Sequence, residues 1–162
     1  MHVALVEPEI PPNTGSIARL CAATGTPLHL IGRLGFSIDD KHLKRAGLDY
    51  WPYVDLHQHP DWATFSATLS GRRLGFSARA TRPYTAIEFQ AGDILVFGCE
   101  TRGLPASIKA ELAAELYTIP ITSPHVRSLN LATAVAIVLY EARRQIELRS
   151  MPARATRESV TR

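Results

Sequence analysis

The 162-residue sequence predicts an α/β domain in which a mainly parallel sheet carries helices on both faces. Short apolar runs of strand length alternate with helical stretches along the chain, and such alternation is typical of βαβ units. No internal repeat or linker interrupts it. The composition, with 46% hydrophobic and 20% charged residues, is that of one ordinary globular domain, which we expect to span residues 1–148.

The apolar pattern assigns the elements in chain order. Strands are expected at 3–8, 28–32, 52–57, 73–78, 93–98 and 116–121. Helices are expected at 14–24, 39–48, 61–69, 105–114 and from 128 to about 148. Parallel strands need crossover connections of this kind, so the order of the elements itself favours a parallel sheet.

The first helix has recognisable ends. Asn13 or Thr14 can cap its start, and Gly25 lies where a glycine often ends a helix. Arg19 lies off the apolar stripe of this helix, and two interpretations stay open. It is either a solvated helix arginine or an arginine directed at a site beside the turn "PPNTG".

The last helix is apolar on nearly every side until Glu141. A helix that is apolar all round must be buried all round, which is easier in a small domain if a second copy covers one side. We therefore expect a homodimer through this C-terminal helix, and we expect a charge at Val135 or Leu139 to produce monomers or insoluble protein. A helix wholly internal to one chain is the alternative.

The net charge of +3 comes from the end of the chain, where Arg149–Arg162 holds four arginines against the single acid Glu158. This basic tail, residues 149–162, lacks hydrophobic periodicity, so we expect it to be flexible. An arm that touches RNA is the alternative. The charge of the remaining domain is balanced, and it gives no separate indication of a nucleic-acid partner.

The sequence predicts a cytoplasmic protein with no membrane segment. Glu7 and Glu9 interrupt the N-terminus before a signal sequence could form, and no apolar run reaches the roughly 20 residues of a membrane span. Cys21 and Cys99 cannot build a disulfide framework, so we expect both to be small buried residues in a reducing compartment.

The sequence lacks the motifs of several common enzyme classes. The sequence has no G-x-G-x-x-G, no P-loop, no G-x-S-x-G and no H-E-x-x-H. His57 and His59 lie two residues apart, but no Cys or carboxylate group completes a metal site, so we expect both to be surface loop residues and expect no metal. Nucleotide-binding, hydrolase and zinc-protease functions therefore lose their main support.

Three segments follow predicted strands and carry the remaining polar chemistry: 11–25, 97–105 and 119–134. Ligands in open α/β sheets bind beyond the carboxyl ends of the strands, where glycines let the backbone approach closely. In the second segment, Glu100 and Arg102 supply opposite charges between two glycines. A turn with a surface ion pair is the alternative to a binding site there.

The chain resembles the SPOUT class of S-adenosylmethionine-dependent RNA methyltransferases, and within it the TrmL/YibK-type tRNA 2′-O-methyltransferases. The resemblance covers roughly residues 3 to 145, and its motifs occur in order as "VALVEPEIPPNTGSIARLCAATG", "DDKHLKRAGLDYW", "LVFGCETRGLP" and "VRSLNLATAVAIVLYEARRQ". Cys99 stands where proline is common in the family, and Ser77 where a larger apolar residue is common. Both departures touch the expected cofactor loops.

The resemblance implies a fold, a reaction and roles for particular residues. It implies a C-terminal trefoil knot, a dimer, and methylation of the ribose 2′-hydroxyl of tRNA nucleotide 34, a cytidine or modified uridine in the anticodon loop. Arg19 and Asn130 would be catalytic. S-adenosylmethionine would be held, largely by backbone, at Ser77, Gly98, Glu100, Gly103, Ile119, Ile121, Ser128 and Leu129. RNA would be bound by Arg102, Arg127, Lys44 and Arg45.

Three other functions stay open at this point. A binding or assembly factor could retain the fold without catalysis, although it would not need a cofactor pocket. A methyltransferase of the same class acting on ribosomal RNA is a closer alternative. A NAD enzyme is a third alternative, weakened by the absent glycine motif.

Overall fold

A computed structural model of the protein describes residues 1–37 and 50–150. Its centre is a seven-stranded, wholly parallel sheet with strand order β3-β2-β1-β6-β4-β7-β5. The strands are β1 His2–Val6, β2 Leu28–Ile31, β3 Leu56–His59, β4 Arg73–Phe76, β5 Arg82–Pro83, β6 Ile94–Phe97 and β7 Leu116–Thr118. The predicted α/β class is confirmed. The trefoil knot implied by the resemblance stays a prediction.

Helices cover both faces of this sheet. They are α1 Pro11–Thr24, α2 Trp62–Thr68, α3 Ala106–Glu111 and α4 Leu131–Ser150. Alternate residues of β1 point to opposite faces, so Leu5 packs with α1 and α4 while Ala4 packs with α2 and α3.

Both cysteines are buried as expected, and burial raises the pKa of the Cys21 thiol to about 12. In the described parts of the chain no helix is long and apolar enough to cross a membrane.

The structure corrects several element boundaries. Helix α1 begins at Pro11, so neither Asn13 nor Thr14 caps it, because the two prolines occupy first-turn positions that need no backbone N–H. Strand β3 begins at Leu56, since Trp51–Tyr53 forms a 3-10 turn around its proline. The two-residue strand β5 was not predicted. The helix expected at 39–48, with Lys44 and Arg45, and the tail from 151 lie outside the described residues; 149 and 150 still belong to α4.

Within residues 1–37 and 50–150 of one chain, only one side of α4 is fully buried. Val135 and Leu139 are fully buried in the core, whereas Tyr140 is 55% exposed and Ile137 is half-buried. A charge at Val135 or Leu139 would therefore damage the core of the chain, and the expectation that these two positions report on a dimer interface is wrong. The open side of the helix is a stripe at helical spacing formed by Thr133, Ala136, Ile137 and Tyr140.

Four histidines form a cluster on one face of the sheet, which the sequence interpretation missed. The register pairs His29 of β2 with His57 of β3, and His29 is only 4% exposed. One ring nitrogen of His29 lies 3.1 Å from His2 and the other lies 3.0 Å from His59. Across residues 1–37 and 50–150, no group of His, Cys, Asp and Glu side chains is arranged to hold a metal ion.

This cluster makes stability depend on pH. Burial, reinforced by the charges that His57, His2 and His59 would carry, lowers the pKa of His29 from 6.5 to about 4. The unfolded chain therefore binds more protons in that window, and stability is lost as the pH falls through it. We expect urea unfolding to show a loss of about 2–3 kcal/mol between pH 7 and pH 4.

His29→Gln should flatten this pH dependence, because it removes the buried titrating ring. His125→Gln is the matched control, since His125 is exposed and outside the cluster. Equal pH slopes for the wild type and His29→Gln would contradict the assignment.

Candidate functional site

A cavity of about 520 Å³ opens at the carboxyl ends of three neighbouring strands, β4, β6 and β7. Its walls are the loop after β4, the loop 98–103 after β6, and the segment from residue 119 to the start of α4. Loops at this edge of a parallel sheet are the usual place for a ligand. The fold therefore brings two of the three segments singled out in the sequence into one cavity, and the first contributes Asn13 to its wall.

Most of the predicted site residues line this cavity. The residues predicted to hold the cofactor are all there, namely Ser77, Gly98, Glu100, Gly103, Ile119, Ile121, Ser128 and Leu129. Asn130, Arg102 and Arg127 line it as well, whereas Arg19 does not. Most of the residues predicted from the sequence therefore lie around one cavity. The predicted catalytic residue Arg19 lies outside it.

The loop 98–103 folds tightly on itself, and its two glycines make that possible. A Cβ at Gly98 would lie 2.0 Å from the carbonyl carbon of Gly103, so no other residue fits there. Gly103 has a φ of +68°, and its N–H donates to the carbonyl of Cys99 over 3.0 Å. The Cys99 side chain is buried against this turn, with Sγ 3.6 Å from the Gly103 carbonyl oxygen.

Glu100 holds this loop against the turn between β1 and α1. Its carboxylate accepts hydrogen bonds from the backbone N–H groups of Glu9, at 2.8 Å, and Ile10, at 3.2 Å. It also accepts one from the Asn13 amide, at 3.0 Å. The alternative of a local Glu100–Arg102 ion pair is wrong, because each of the two side chains contacts the β1–α1 turn instead.

Glu9 makes the reciprocal connection. Its carboxylate accepts from the Thr101 hydroxyl at 2.6 Å and pairs with Arg102 at 3.3 Å. These contacts, the Thr101 hydroxyl first, hold the pKa of Glu9 below its usual range. Arg102 also lies 3.7 Å from Glu7. Two carboxylates, one in each loop, therefore bind the two loops together.

Asn13 and Asn130 extend this network along the cavity wall. The Asn130 amide donates to Asn13 Oδ1 over 2.8 Å, while Asn130 Oδ1 accepts the backbone N–H of Thr133 at the start of α4. Asn130 is therefore a helix cap, and α4 begins after it at Leu131, three residues later than the expected start at 128. Asn13 was expected only to cap α1. The two prolines before it, which place Asn13 inside the first turn, were the available signal that its side chain has another role.

Arg19 is exposed on α1, six residues after Asn13 and about 9 Å further along the helix. Its guanidinium carbon lies 5.7 Å from the centre of the Tyr50 ring, and the Tyr50 hydroxyl donates to the Gly15 carbonyl. The side chain is thus steadied beside α1 and reaches solvent, and within one chain it does not enter the cavity.

The charges around the cavity are mostly positive. Among the described residues, Arg79, Arg102, Lys109 and Arg127 line it, against one carboxylate, that of Glu100. Sequence reasoning missed Arg79 and Lys109, because Arg79 lies in an unremarked loop after β4 and Lys109 looks like a solvated residue of a short helix.

Comparison with known proteins identifies the class of enzyme. A family model described as the SpoU rRNA methylase family matches residues 1–140. A tRNA (cytidine(34)-2′-O)-methyltransferase from Methylovorus glucosotrophus is 49% identical over 144 residues, which cover 88% of this chain and 94% of that protein.

Solved structures agree with this result. A structure described as giving insight into the 2-OH methylation of C/U34 on tRNA is 49% identical, with a TM-score of 0.85 over 89% of this chain and 94% of that one. The SpoU methyltransferase AviRb from Streptomyces viridochromogenes, in complex with AdoMet, is 26% identical, with a TM-score of 0.75 over 90% of this chain and 60% of that one. The chain belongs to the SpoU methylase family of RNA methyltransferases.

Proposed function

We propose that this protein transfers a methyl group from S-adenosylmethionine to the ribose 2′-hydroxyl of the wobble nucleotide, position 34, of tRNA. One feature of the molecule carries the proposal: every residue expected to hold the cofactor lines the same cavity. The relative from Methylovorus, named for this reaction, shares about half its residues with this chain over nearly its whole length. The enzyme would meet its substrate in the cytoplasm.

The cavity suits S-adenosylmethionine in size and lining. Its volume of about 520 Å³ is in the range of small-molecule sites, and Phe97, Ile119 and Leu129 give it apolar walls. The backbone of the tight 98–103 loop would lie against the cofactor at Gly103, where no side chain covers it and the space beside its Cα is open. Bound there, S-adenosylmethionine would supply an electrophilic methyl group on a sulfonium. Glu100, which lines the cavity, would also keep the loop in place through its hydrogen bonds to the β1–α1 turn.

Apart from binding the cofactor, the protein must align the ribose 2′-hydroxyl with the methyl group. Alignment of two reactants can supply on the order of 7–11 kcal/mol of a barrier. Asn130, fixed by Asn13 and by the start of α4, offers a rigid polar group at the cavity wall. Arg19 would bind the ribose and phosphate of RNA that passes α1 and stabilise negative charge on the 2′-oxygen. It would not remove the proton, because arginine stays protonated.

The direct experiment uses isotope-labelled S-adenosylmethionine and a synthetic tRNA anticodon stem-loop. We expect label in 2′-O-methylcytidine at position 34 after nuclease digestion. A matched stem-loop with 2′-deoxycytidine at position 34 differs by one oxygen atom and should stay unlabelled. Label on a base, or equal labelling of the deoxy control, would contradict the proposal.

Ribosomal RNA is the second candidate substrate, because the matching family model is described as an rRNA methylase family. The same labelling reaction with unmodified ribosomal RNA separates the two candidates. Label in ribosomal RNA, with none in tRNA, would replace the proposed substrate while keeping the reaction.

We also propose that the protein is a homodimer through the open stripe of α4. Among the residues that the structure describes, this stripe stays partly open, and Tyr140 at its C-terminal end is 55% exposed. Apolar helix faces of this kind are commonly covered by a second copy of the chain.

Tyr140→Glu is expected to convert the dimer to a folded monomer, because it places a charge on the most exposed large apolar side chain of the stripe without touching the core. Analytical ultracentrifugation gives the measurement. Tyr53→Glu is the matched control, since Tyr53 is 77% exposed and lies far from α4 in sequence, and that variant should stay dimeric. A monomeric wild type, or a dimeric Tyr140→Glu, would contradict the interface.

A further inference from the structure

We propose that Arg79, Lys109 and Arg127 form a rim of cations that holds phosphodiester groups of single-stranded RNA next to the nucleotide being methylated. The inference rests on the proposed function, because it assumes an RNA substrate at this cavity. Of the cations that line this cavity, sequence reasoning had offered Arg102 and Arg127 for RNA binding. Arg79 and Lys109 are new assignments.

The three cations come from three separate parts of the chain. Arg79 follows β4, Lys109 lies on α3, and Arg127 precedes α4, yet all three line the cavity. A solvated helix face would place its charges along one element. Convergence of like charges from three elements raises the free energy of the folded protein unless an anion is bound there, so it indicates a binding surface.

Among the described residues, these three side chains have no polar partner, unlike the other charged groups of the cavity. Glu100 and Arg102 are bound to the β1–α1 turn. Within residues 1–37 and 50–150, the side chains of Arg79, Lys109 and Arg127 make no hydrogen bond or ion pair. Arg79 and Arg127 are exposed and Lys109 is half-buried, so all three can meet a large ligand from solvent.

The cofactor does not account for this charge. S-adenosylmethionine carries a sulfonium and an ammonium group against one carboxylate, so its own net charge is positive at neutral pH. Additional cations would on balance oppose its binding. RNA carries one negative charge for each phosphate, and lysine and arginine side chains that neutralise those phosphates release counterions. Polyanion binding therefore explains the rim better than cofactor binding.

The test measures RNA affinity as a function of salt, with the full-length protein and the anticodon stem-loop that serves as methylation substrate. Arg79→Gln and Lys109→Gln should each weaken binding roughly 3- to 10-fold near physiological salt. Each should also lower the slope of log affinity against log salt by about 0.7, the value for one phosphate contact on a single strand. The double variant should lower the slope by about twice as much. Calorimetric affinity for S-adenosylmethionine should stay within about twofold.

Two controls isolate the rim. Lys109→Arg keeps the charge and should keep the salt slope. Arg144→Gln removes an exposed arginine that pairs with Glu141, fourteen residues along α4 from Asn130, and should leave RNA binding unchanged. An unchanged slope in the double variant would overturn the rim, and so would loss of cofactor affinity with RNA affinity intact. If the rim fails this test but the wild type methylates the stem-loop, the proposed function is still supported. If the wild type neither binds nor methylates the stem-loop, both the rim and the proposed function are contradicted.

Discussion

Replacement of Glu100 by alanine is expected to lower the free energy of unfolding by about 2–4 kcal/mol and to abolish binding of S-adenosylmethionine. The carboxylate accepts from two backbone N–H groups and from the Asn13 amide. Alanine would leave all three donors without this acceptor, and the 98–103 loop would lose its attachment to the β1–α1 turn. Urea unfolding and calorimetric titration of the cofactor measure the two effects separately.

Glu100→Gln should fall between the wild type and alanine, because the amide keeps one acceptor oxygen but loses the charge. Glu111→Ala is the matched surface control. Its carboxylate accepts one exposed hydrogen bond from Trp62 at 2.7 Å, and its loss should cost well under about 1 kcal/mol. If Glu100→Ala binds the cofactor as the wild type does, the loop does not depend on this anchor.

The local parts of the fold were predictable from sequence because their causes are local. Asp61 caps α2 by accepting the Thr64 N–H over 2.7 Å, as an aspartate before an apolar run suggests. Gly25 ends α1 with a φ of 60°, where glycine has no steric penalty. In each case the residue that fixes the boundary is within four positions of it.

The features that the sequence did not predict depend on contacts between segments that are distant in the chain. His29 and His57 meet because β2 and β3 pair in a particular register, and nothing near either residue in the sequence specifies it. Strand β5 exists because Arg82 and Pro83 reach the edge of β7, and two residues carry no periodic signal. Tertiary pairing decides such features, so a local pattern cannot report them.

In the candidate site, too, local features were predictable from the sequence and long-range contacts were not. Glu100 and Arg102 were singled out from their loop, but their partners lie about ninety positions earlier in the chain. The Asn13–Asn130 contact spans 117 positions. The resemblance supplied the residues proposed to hold the cofactor, because family motifs already encode such distant pairings. It did not supply Arg79 or Lys109, whose role depends on three elements reaching one cavity mouth.

Family membership also narrows the open alternatives. A NAD enzyme is excluded by the match to a methylase family over residues 1–140. The interlocked loops suit methyl transfer physically, since the reaction needs two reactants held in line and no change of redox state. Hydrogen bonds of Glu9 and Glu100 hold the loop 98–103 and the β1–α1 turn together at the wall of the cavity.

Arg19→Ala is expected to slow methyl transfer at least about 100-fold while leaving cofactor affinity and unfolding free energy nearly unchanged. The guanidinium group would stabilise negative charge on the 2′-oxygen, and removal of one such donor typically costs 10²–10³ in rate. Cofactor affinity should persist because Arg19 does not line the cavity, and stability should persist because the side chain is exposed.

Single-turnover labelling of the anticodon stem-loop at saturating cofactor measures the rate, and calorimetry measures cofactor binding in the same preparation. Arg19→Lys tests the type of interaction, since lysine keeps the charge but loses the planar fork that binds a ribose and phosphate together. Arg33→Ala removes an exposed arginine of the loop after β2 and should keep the wild-type rate. Wild-type turnover by Arg19→Ala would remove this residue from the mechanism. Loss of cofactor affinity in that variant would instead mean that Arg19 acts on the cavity and not on the RNA.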